Sequence, residues 1–539
     1  MIIDTTINAN SFEKNFRKIY FKNYINQRKE YSSWIDSIGD KKNLDWWISL
    51  PASRNYNYSK LFHIFCLVES VKELILKFNI SKLIVEDDRI KNIFQKQFKV
   101  NLVVQVKKKK FFAENNFILL LKNFIFFFIV FIFSKLGRRK KIDNDLNLTL
   151  IDTFLANSDL NQNRYYSNKL LKIVSKKKNI FFIPSFYLGM GLVNTVKIIL
   201  NCKKNKNFLL KENYLKFKDF IFTLFLVLRR KKFKRTYEKL KKIDYSDIIC
   251  DEINSNINLS SQILAWQNYF FFKNLKKINI KVKKNINWFE NQSQDKGWNL
   301  GSRTFFPKAK SFGYQGFCHF PQYMCLSPTK SEFDAKVIPK VILSIGKMFN
   351  KPKKEFYKNL EIKTSPALNF QYLYKIKKRK ISNNNVLIIL SGFLNDDINL
   401  LRWVIKSGIQ NKNYKIIIKE HPILKISKIK KNFSYFPEKF VISKKDFWES
   451  VYNSKNLICT GSTSAITELL VSGRACIIPR INPLDGKIFE SLNIKFNHVI
   501  LDDPLELIDF IKGNKIKKFN YKIENYFTKL TNRNINLFL

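Results

Sequence analysis

Two polar clusters stand at the ends of short apolar runs in the last third of the chain. Lys415-Ile416-Ile417-Ile418 runs into Lys419-Glu420-His421-Pro422, and Asn456-Leu457-Ile458-Cys459 runs into Thr460-Gly461-Ser462-Thr463-Ser464-Ala465. Apolar positions at helical spacing from Ser464 to Ser472, ended by Gly473, make the second cluster the opening of a helix, and Ala475-Cys476-Ile477-Ile478-Pro479 reads as the next buried strand. A glycine and three hydroxyl residues at a helix N-terminus gather backbone N–H groups, side-chain donors and the positive end of the helix dipole, which suits a phosphate. On its own this stretch supports any nucleotide- or phosphate-binding α/β domain.

The elements that must position these clusters follow an α/β rhythm. Strands are expected at Lys82–Val85 (ending at Glu86-Asp87-Asp88), Val100–Val106, Leu146–Ile151 (ending at Asp152-Thr153), Ile180–Ile183 and Ile286–Phe289 (ending at Glu290-Asn291-Gln292). A long helix is expected from about Ser260 to Leu275. The glycines of Ser311-Phe312-Gly313-Tyr314-Gln315-Gly316-Phe317 suggest a turn where backbone approaches a ligand or another element. A second α/β unit begins at Asn385, with Val386–Leu390 as a strand and a helix near Asn399 to Ser407. The resulting layout is an extension over 1–75 and a Rossmann-like domain over 76–335. An interdomain hinge over 336–350, a second Rossmann-like domain over 351–515 and a tail over 516–539 complete it. The Trp46-Trp47 pair reads as packing.

At 539 residues the chain is too long for one ordinary core, and an apolar fraction of 45% is that of a folded protein. The formal charge of +54 raises nucleic acid or an anionic membrane surface as partners. Lys greatly outnumbers Arg, and Asn, Ile, Phe and Tyr are abundant, which is also how an AT-rich genome biases codon choice. Arg is preferred for bidentate phosphate and base contacts, so the lysine excess argues against nucleic acid. The seven cysteines are scattered without a C-x-x-C pair, the four histidines show no zinc spacing, and Met1-Ile2-Ile3-Asp4-Thr5 does not begin a signal peptide. These features suggest reduced thiols, a cytoplasmic setting and no metal.

Two inserts interrupt the α/β rhythm, near 107–141 and 211–235. Lys107–Lys110 precede the Phe-rich run Phe117–Phe133, which Arg138-Arg139-Lys140-Lys141 closes, and Phe217–Leu228 lies between Lys216, Lys218 and Arg229-Arg230-Lys231-Lys232. The first is borderline for a membrane span and the second is too short. With basic residues on both flanks, they read as monotopic contacts with anionic headgroups, the alternative being buried helices with solvated basic ends.

Two α/β domains across a hinge, with a phosphate cradle in the second, resemble the GT-B arrangement of nucleotide-sugar glycosyltransferases. Lys419-Glu420-His421-Pro422 and Gly461-Ser462-Thr463-Ser464 with Glu468 resemble the paired motifs of bacterial capsule and sialic-acid or Kdo transferases. Over most of its length, including Trp46-Trp47, Trp288-Phe289-Glu290-Asn291-Gln292 and Tyr314-Gln315-Gly316-Phe317, the chain is similar to the surface carbohydrate biosynthesis proteins. The resemblance implies that His421, Gly461, Ser462, Thr463 and Ser464 contact the donor phosphate and that Glu468 faces the ribose. It implies a donor that is CMP-linked, a glycan or lipid-linked acceptor, no cofactor beyond the nucleotide-sugar, and a place on the cytoplasmic face of the bacterial inner membrane.

An acceptor hydroxyl must lose its proton as it attacks, which calls for an Asp or Glu at a strand end facing the cleft. Glu290, Asp152 and Asp87 qualify. Glu290 is favoured because its aromatic neighbours would raise its pKa, although a Glu capping the next turn reads equally well. Asp396-Asp397 and Asp502-Asp503 read as solvated loop pairs rather than metal ligands. Two other readings stand beside a transferase: a non-catalytic assembly partner of the same architecture in polysaccharide export, and a nucleic-acid-binding protein suggested only by charge.

Overall fold

The computed structural model describes the chain except residues 8, 98–102, 108–115, 138–139, 141, 144, 156–158, 161–164, 377–383, 486–497 and 514–521. Three parallel sheets organise it. The first has three strands in the order β1-β2-β3, β1 Ile2–Asp4, β2 Lys82–Val85 and β3 Val103–Val106. The second has six in the order β5-β4-β6-β7-β8-β9, where β4 is Asn147–Phe154, β5 Ile180–Ser185, β6 Lys281–Trp288, β7 Lys310–Gln315, β8 Val341–Ser344 and β9 Glu361–Thr364. The third has six in the order β12-β11-β10-β13-β14-β15, where β10 is Val386–Ile389, β11 Ile416–Lys419, β12 Phe440–Ile442, β13 Asn456–Cys459, β14 Cys476–Pro479 and β15 His498–Leu501.

Strands β8, β10, β13 and β14 are buried along their whole length, which is why they read as short, mainly apolar runs: helices cover both faces of a parallel sheet. Counted from β10, the third sheet has the order 3-2-1-4-5-6 of a doubly wound dinucleotide-binding sheet. Counted from β4, the second runs 2-1-3-4-5-6, a flavodoxin-like order with one strand added. In each the winding reverses beside the first strand, between β4 and β6 in one and between β10 and β13 in the other.

The expected layout needs three corrections. Strands β2 and β3, assigned by sequence to the first Rossmann-like domain, pair instead with β1, so the first hundred or so residues form their own sheet. Residues 336–350, expected as the hinge, contain β8, which pairs with β7 and β9; the chain leaves the second sheet only after Thr364. The end of the tail returns to that sheet: Lys284 Nζ donates to Asn536 O at 3.1 Å, and Phe538 packs edge-on to Tyr314 with ring centroids 5.0 Å apart.

The glycine-bearing stretch 311–317 is also not a turn through most of its length. It is β7, and its glycines make room for neighbours: a Cβ on Gly313 would lie 2.8 Å from Phe289 Cβ, and one on Gly316 would lie 2.3 Å from Trp288. Trp46 and Trp47 are buried, as packing requires.

The two Phe-rich inserts lie side by side. Phe131 of the helix Asn116–Lys135 stacks on Phe220 of the helix Phe217–Leu224 at 4.6 Å. Phe126, Phe127, Val130 and Phe131 are buried, while Phe117, Leu121, Phe124 and Phe128 are exposed, and Phe217, Phe225 and Leu228 add to the exposed side. The helix is long and apolar enough to cross a membrane, but one of its faces belongs to the protein core. The expected basic fringe is partly spent inside the fold. Arg230 is buried and donates to Ser255 O at 3.0 Å, and Arg229 pairs with Asp45 at 2.8 Å, whereas Lys216, Lys218, Lys231 and Lys232 stay exposed. Lys108–Lys110, Arg138, Arg139 and Lys141 lie outside the described residues.

Candidate active site

The carboxyl ends of both six-stranded sheets point toward one another. Tyr323, in the loop after β7, lies 5.8 Å ring to ring from Phe393, in the loop after β10. Tyr56 bridges the same two loops, its hydroxyl lying 3.4 Å from Tyr323 Oη and 3.3 Å from Asp396 Oδ2. Ligands of open α/β sheets bind beyond the carboxyl ends of the strands where the winding reverses, and the sequence-derived residues fall at both such points.

On the third sheet, β10 ends in Ser391-Gly392. Asp397 holds this turn by accepting from the Ser391 N–H at 2.6 Å and the Gly392 N–H at 3.0 Å. Gly392 has φ +87°, and a Cβ there would stand 2.4 Å from Nδ1 of His421, so the half-buried imidazole at the end of β11 rests against a bare Cα. Gly461 is equally constrained, since its Cβ would lie 2.0 Å from Oδ1 of Asp485.

The three hydroxyls of the second cluster do different things. Ser462 is buried and donates to Asp396 Oδ2 at 2.7 Å, and Thr460 lies 3.0 Å away. Thr463 accepts from the Ala465 N–H at 3.3 Å and, like Ser464, is half-buried. Glu468, expected to face a ribose, accepts a hydrogen bond from Tyr372 in the 3₁₀ turn Leu368–Lys375 that links the two sheets. The helix behind the cluster, Ala465–Val471, is short.

Asp396 and Asp397 correct the expectation of a solvated pair. Both are buried, in the first turn of the helix Leu394–Lys406, which starts earlier than its apolar spacing suggests. Burial raises the pKa of Asp396 against the hydrogen bonds of Ser462, Asn482 and Tyr56, and raises that of Asp397 to about 6. Asp485, buried beneath Gly461, is pushed up to about 7 by burial while the Ile481 and Asn482 N–H groups donate to it at 3.0 and 2.7 Å. Asp502 and Asp503 are exposed, as expected, with Asp502 3.0 Å from Arg480.

On the second sheet, Glu290 follows β6 and lines a cavity of about 190 Å³ walled by Tyr58, Phe154, Tyr165, Tyr187 and Trp288. Trp288 Nε1 donates to Glu290 Oε1 at 2.7 Å, and burial raises the Glu290 pKa against that bond. The turn carrying it is fixed from both sides. Asn291, at φ +57°, donates to Glu332 at 3.0 Å; Glu332 is buried between Arg54 and Lys296, whose charges outweigh burial and keep its pKa low. Asp295 accepts from the Glu290 N–H at 3.0 Å and the Gln292 N–H at 2.9 Å, capping the helix Ser293–Phe305. That helix is pressed against Leu259–Lys277 so closely that a Cβ on Gly297 would lie 1.9 Å from Ala265 O.

Asp152 does not share this cavity. It is buried within β4, takes a hydrogen bond from Ser185 at 3.3 Å, and is raised to about 7 by burial against the pull of Lys211. With no opening it cannot receive a proton from an acceptor directly. Asp87 belongs to the other sheet, where it caps the helix Asp88–Gln97 by accepting from the Ile90 N–H at 3.1 Å. Sequence reasoning missed Asp295 and Asp485 and read Asp396 as solvated. The only signal for Asp295 is its place three residues after the N-cap Gln292, a capping pattern. No group of three metal-type ligands occurs among the described residues.

Strand order and facing edges define a pair of Rossmann-like α/β domains with an additional parallel sheet at the amino end. No protein-family model matches the chain, and no curated protein matches it in sequence. Among solved structures it overlaps UDP-GlcNAc 2-epimerase from Methanocaldococcus jannaschii, with a TM-score of 0.37 and 11% identity over 70% of this chain and 95% of that one. It also overlaps MurG of Acinetobacter baumannii, with a TM-score of 0.32 and 9% identity over 68% and 91%. A third overlap is with UDP-GlcNAc 2-epimerase from Neisseria meningitidis, with a TM-score of 0.37 and 10% identity over 71% and 96%. These overlaps are too loose to carry residue correspondences, and the fold assignment stands on the strand order itself.

Proposed function

We propose that the chain is a glycosyltransferase of bacterial surface polysaccharide biosynthesis, working at the cytoplasmic face of the inner membrane. It moves a sugar from a nucleotide donor, CMP-linked, to a glycan or lipid-linked acceptor. One observation supports this above the others: the Gly461–Ser464 cluster and Glu290 each lie at the winding reversal of a sheet, on edges that face each other.

In this reading the donor lies on the third sheet. The acceptor oxygen attacks the anomeric carbon, the bond from that carbon to the phosphate oxygen breaks, and the acceptor proton passes to Glu290. Negative charge then grows on the leaving phosphate, where His421, Thr463, Ser464 and the backbone of Gly461 would stabilise it. Ser462 and Glu468 position the loop through Asp396 and Tyr372 rather than touching the donor. The Trp288 hydrogen bond orients Glu290, and its aromatic surroundings bring its pKa closer to a working range.

The exposed Phe117, Phe124, Phe128, Phe217 and Phe225 side chains, with Lys216, Lys218, Lys231 and Lys232 around them, would lie in the headgroup region and hold the enzyme against an anionic bilayer. Such a patch is unusual for a free surface.

A thermal-shift screen with CMP, UDP and GDP tests the donor assignment. A ligand that binds only the folded state at a hundredfold excess over its dissociation constant adds about 2.7 kcal/mol. Stabilisation by CMP alone is expected; stabilisation by UDP or GDP without CMP removes the cytidine assignment, and no response to any of them removes the transferase reading.

A further inference from the structure

The first sheet has no part in the two-domain site, yet its carboxyl edge opens on a cleft of about 930 Å³. Thr5 and Thr6 after β1, Glu86 after β2 and Lys107 after β3 form the floor, and the helix Leu394–Lys406 forms the opposite wall. That volume is at the upper end of ordinary ligand sites.

The walls mix apolar side chains such as Ile7, Leu394 and Ile398 with polar groups, and most of their charge is already engaged. Lys60 pairs with Glu86 at 2.7 Å and Lys107 with Asp4 at 3.7 Å, and Arg402 donates to Asn432 O at 3.2 Å. The polar lining includes the phenols of Tyr20, which lies 2.7 Å from His63 Nδ1, Tyr24 and Tyr56, and the amides of Asn395, Asn399 and Asn482. Gln322 also lines the cleft. It is 2% exposed, and among the described residues neither atom of its amide meets a hydrogen-bond partner. A buried amide left without partners costs about 1–3 kcal/mol, so a glutamine is a poor choice here unless something else satisfies it.

One end of the cleft reaches the donor cluster. Tyr56 OH donates to Asp396 Oδ2 at 3.3 Å, the same oxygen that accepts from Ser462, and Asn482 Nδ2 donates to Asp396 Oδ1 at 3.4 Å. An occupant of the cleft therefore meets the hydrogen-bond network that holds Ser462 behind the proposed donor site.

We propose that this cleft binds a run of several sugar residues, the part of a growing glycan behind the end being extended. The inference rests on the transferase reading and adds where the acceptor chain lies. Amides, which both donate and accept, match a sugar's hydroxyls, and the apolar part of the wall suits its C–H faces. A nucleotide or other polyanion would find Lys60 and Lys107 already paired with carboxylates, which leaves Arg402 as its counter-charge.

The test uses the full chain and two uncharged probes, chitotetraose and maltotetraose, followed by saturation-transfer NMR and calorimetry. The variants are Gln322→Leu and Asn399→Ala, with the CMP thermal shift measured in parallel. At least one probe is expected to bind, each variant to weaken it tenfold or more, and the CMP response to remain. Gln322→Leu is expected to raise the melting temperature, because it removes the unpartnered amide, so loss of binding would not come from unfolding. If no probe binds a protein that responds to CMP, or if both variants bind as well as the parent, the inference is overturned and the transferase reading survives. If a probe binds and the variants weaken it while CMP has no effect, the cleft stands and the donor reading falls.

Discussion

Ser462 donates its hydroxyl hydrogen to Asp396 Oδ2 across 2.7 Å, in a place where both residues are buried. Asp396→Leu would leave Ser462 and Tyr56 without their acceptor and is expected to cost about 1–3 kcal/mol. Asp396→Asn keeps an acceptor oxygen, and burial already favours the uncharged acid, so it should cost far less. Urea unfolding of the two variants checks this; equal losses would mean that the hydrogen bonds to Asp396 contribute little.

Gly461→Ala would put a methyl group 2.0 Å from Asp485 Oδ1 and 2.9 Å from its Cα. The carboxylate cannot swing aside freely because its other oxygen is held by two backbone N–H groups. A loss of about 1–3 kcal/mol is expected, together with loss of the nucleotide thermal shift. A variant as stable as the parent by differential scanning calorimetry would contradict the packing described for this loop.

The pH dependence of stability follows from the buried acids. Asp485 and Asp152 are each raised to about 7 by burial, against an ordinary value of about 3.9 in the unfolded chain. From about pH 4 to pH 7 the folded state therefore holds more protons than the unfolded state, and stability falls as pH rises through that window. Each group contributes a slope of about 1.4 kcal/mol per pH unit when fully protonated in the fold and ionised outside it. Asp485→Asn should remove one such slope. Urea unfolding at pH 5, 6 and 7 reads it directly, and an unchanged slope would show that Asp485 is ionised in the fold.

Replacing Phe217, Phe225 and Leu228 together by Ser removes exposed apolar surface from one end of the Phe-rich patch. Flotation with anionic phosphatidylglycerol vesicles is expected to drop severalfold while thermal unfolding barely moves, since little core is lost. Flotation equal to the parent's would take this patch out of any membrane role.

The α/β character and the strands of the third sheet were legible because parallel strands covered on both faces are written as short apolar runs, as at Val386–Ile389 and Asn456–Cys459. The two polar clusters were legible for the same reason, since each interrupts such a run. Sheet membership was not. Nothing local to Lys82–Val85 says that it pairs with Ile2–Asp4 rather than with Asn147–Phe154, because that choice is made by helix packing far along the chain. The hinge was misplaced because Pro339 and Gly346 flank β8 and look like linker residues. Pro339 instead packs against Gly313, and Gly346 fits beneath the Tyr526 backbone of the returning tail. Among the acids, the apolar setting of Glu290 could be read from its aromatic neighbours. Asp396 looked solvated because its helix begins with polar residues that turn inward, and Asp152 looked available because a strand end was read where the strand continues to Phe154.

The central claim is that the cluster after β13, with His421, holds a cytidine nucleotide. Isothermal titration of CMP into the full chain and into His421→Ala and Ser464→Ala tests it most directly. Saturable one-site binding to the parent, weakened at least tenfold in each variant with folding intact by circular dichroism, is the expected result. No heat of binding in the parent, or the same affinity in all three proteins, would contradict it.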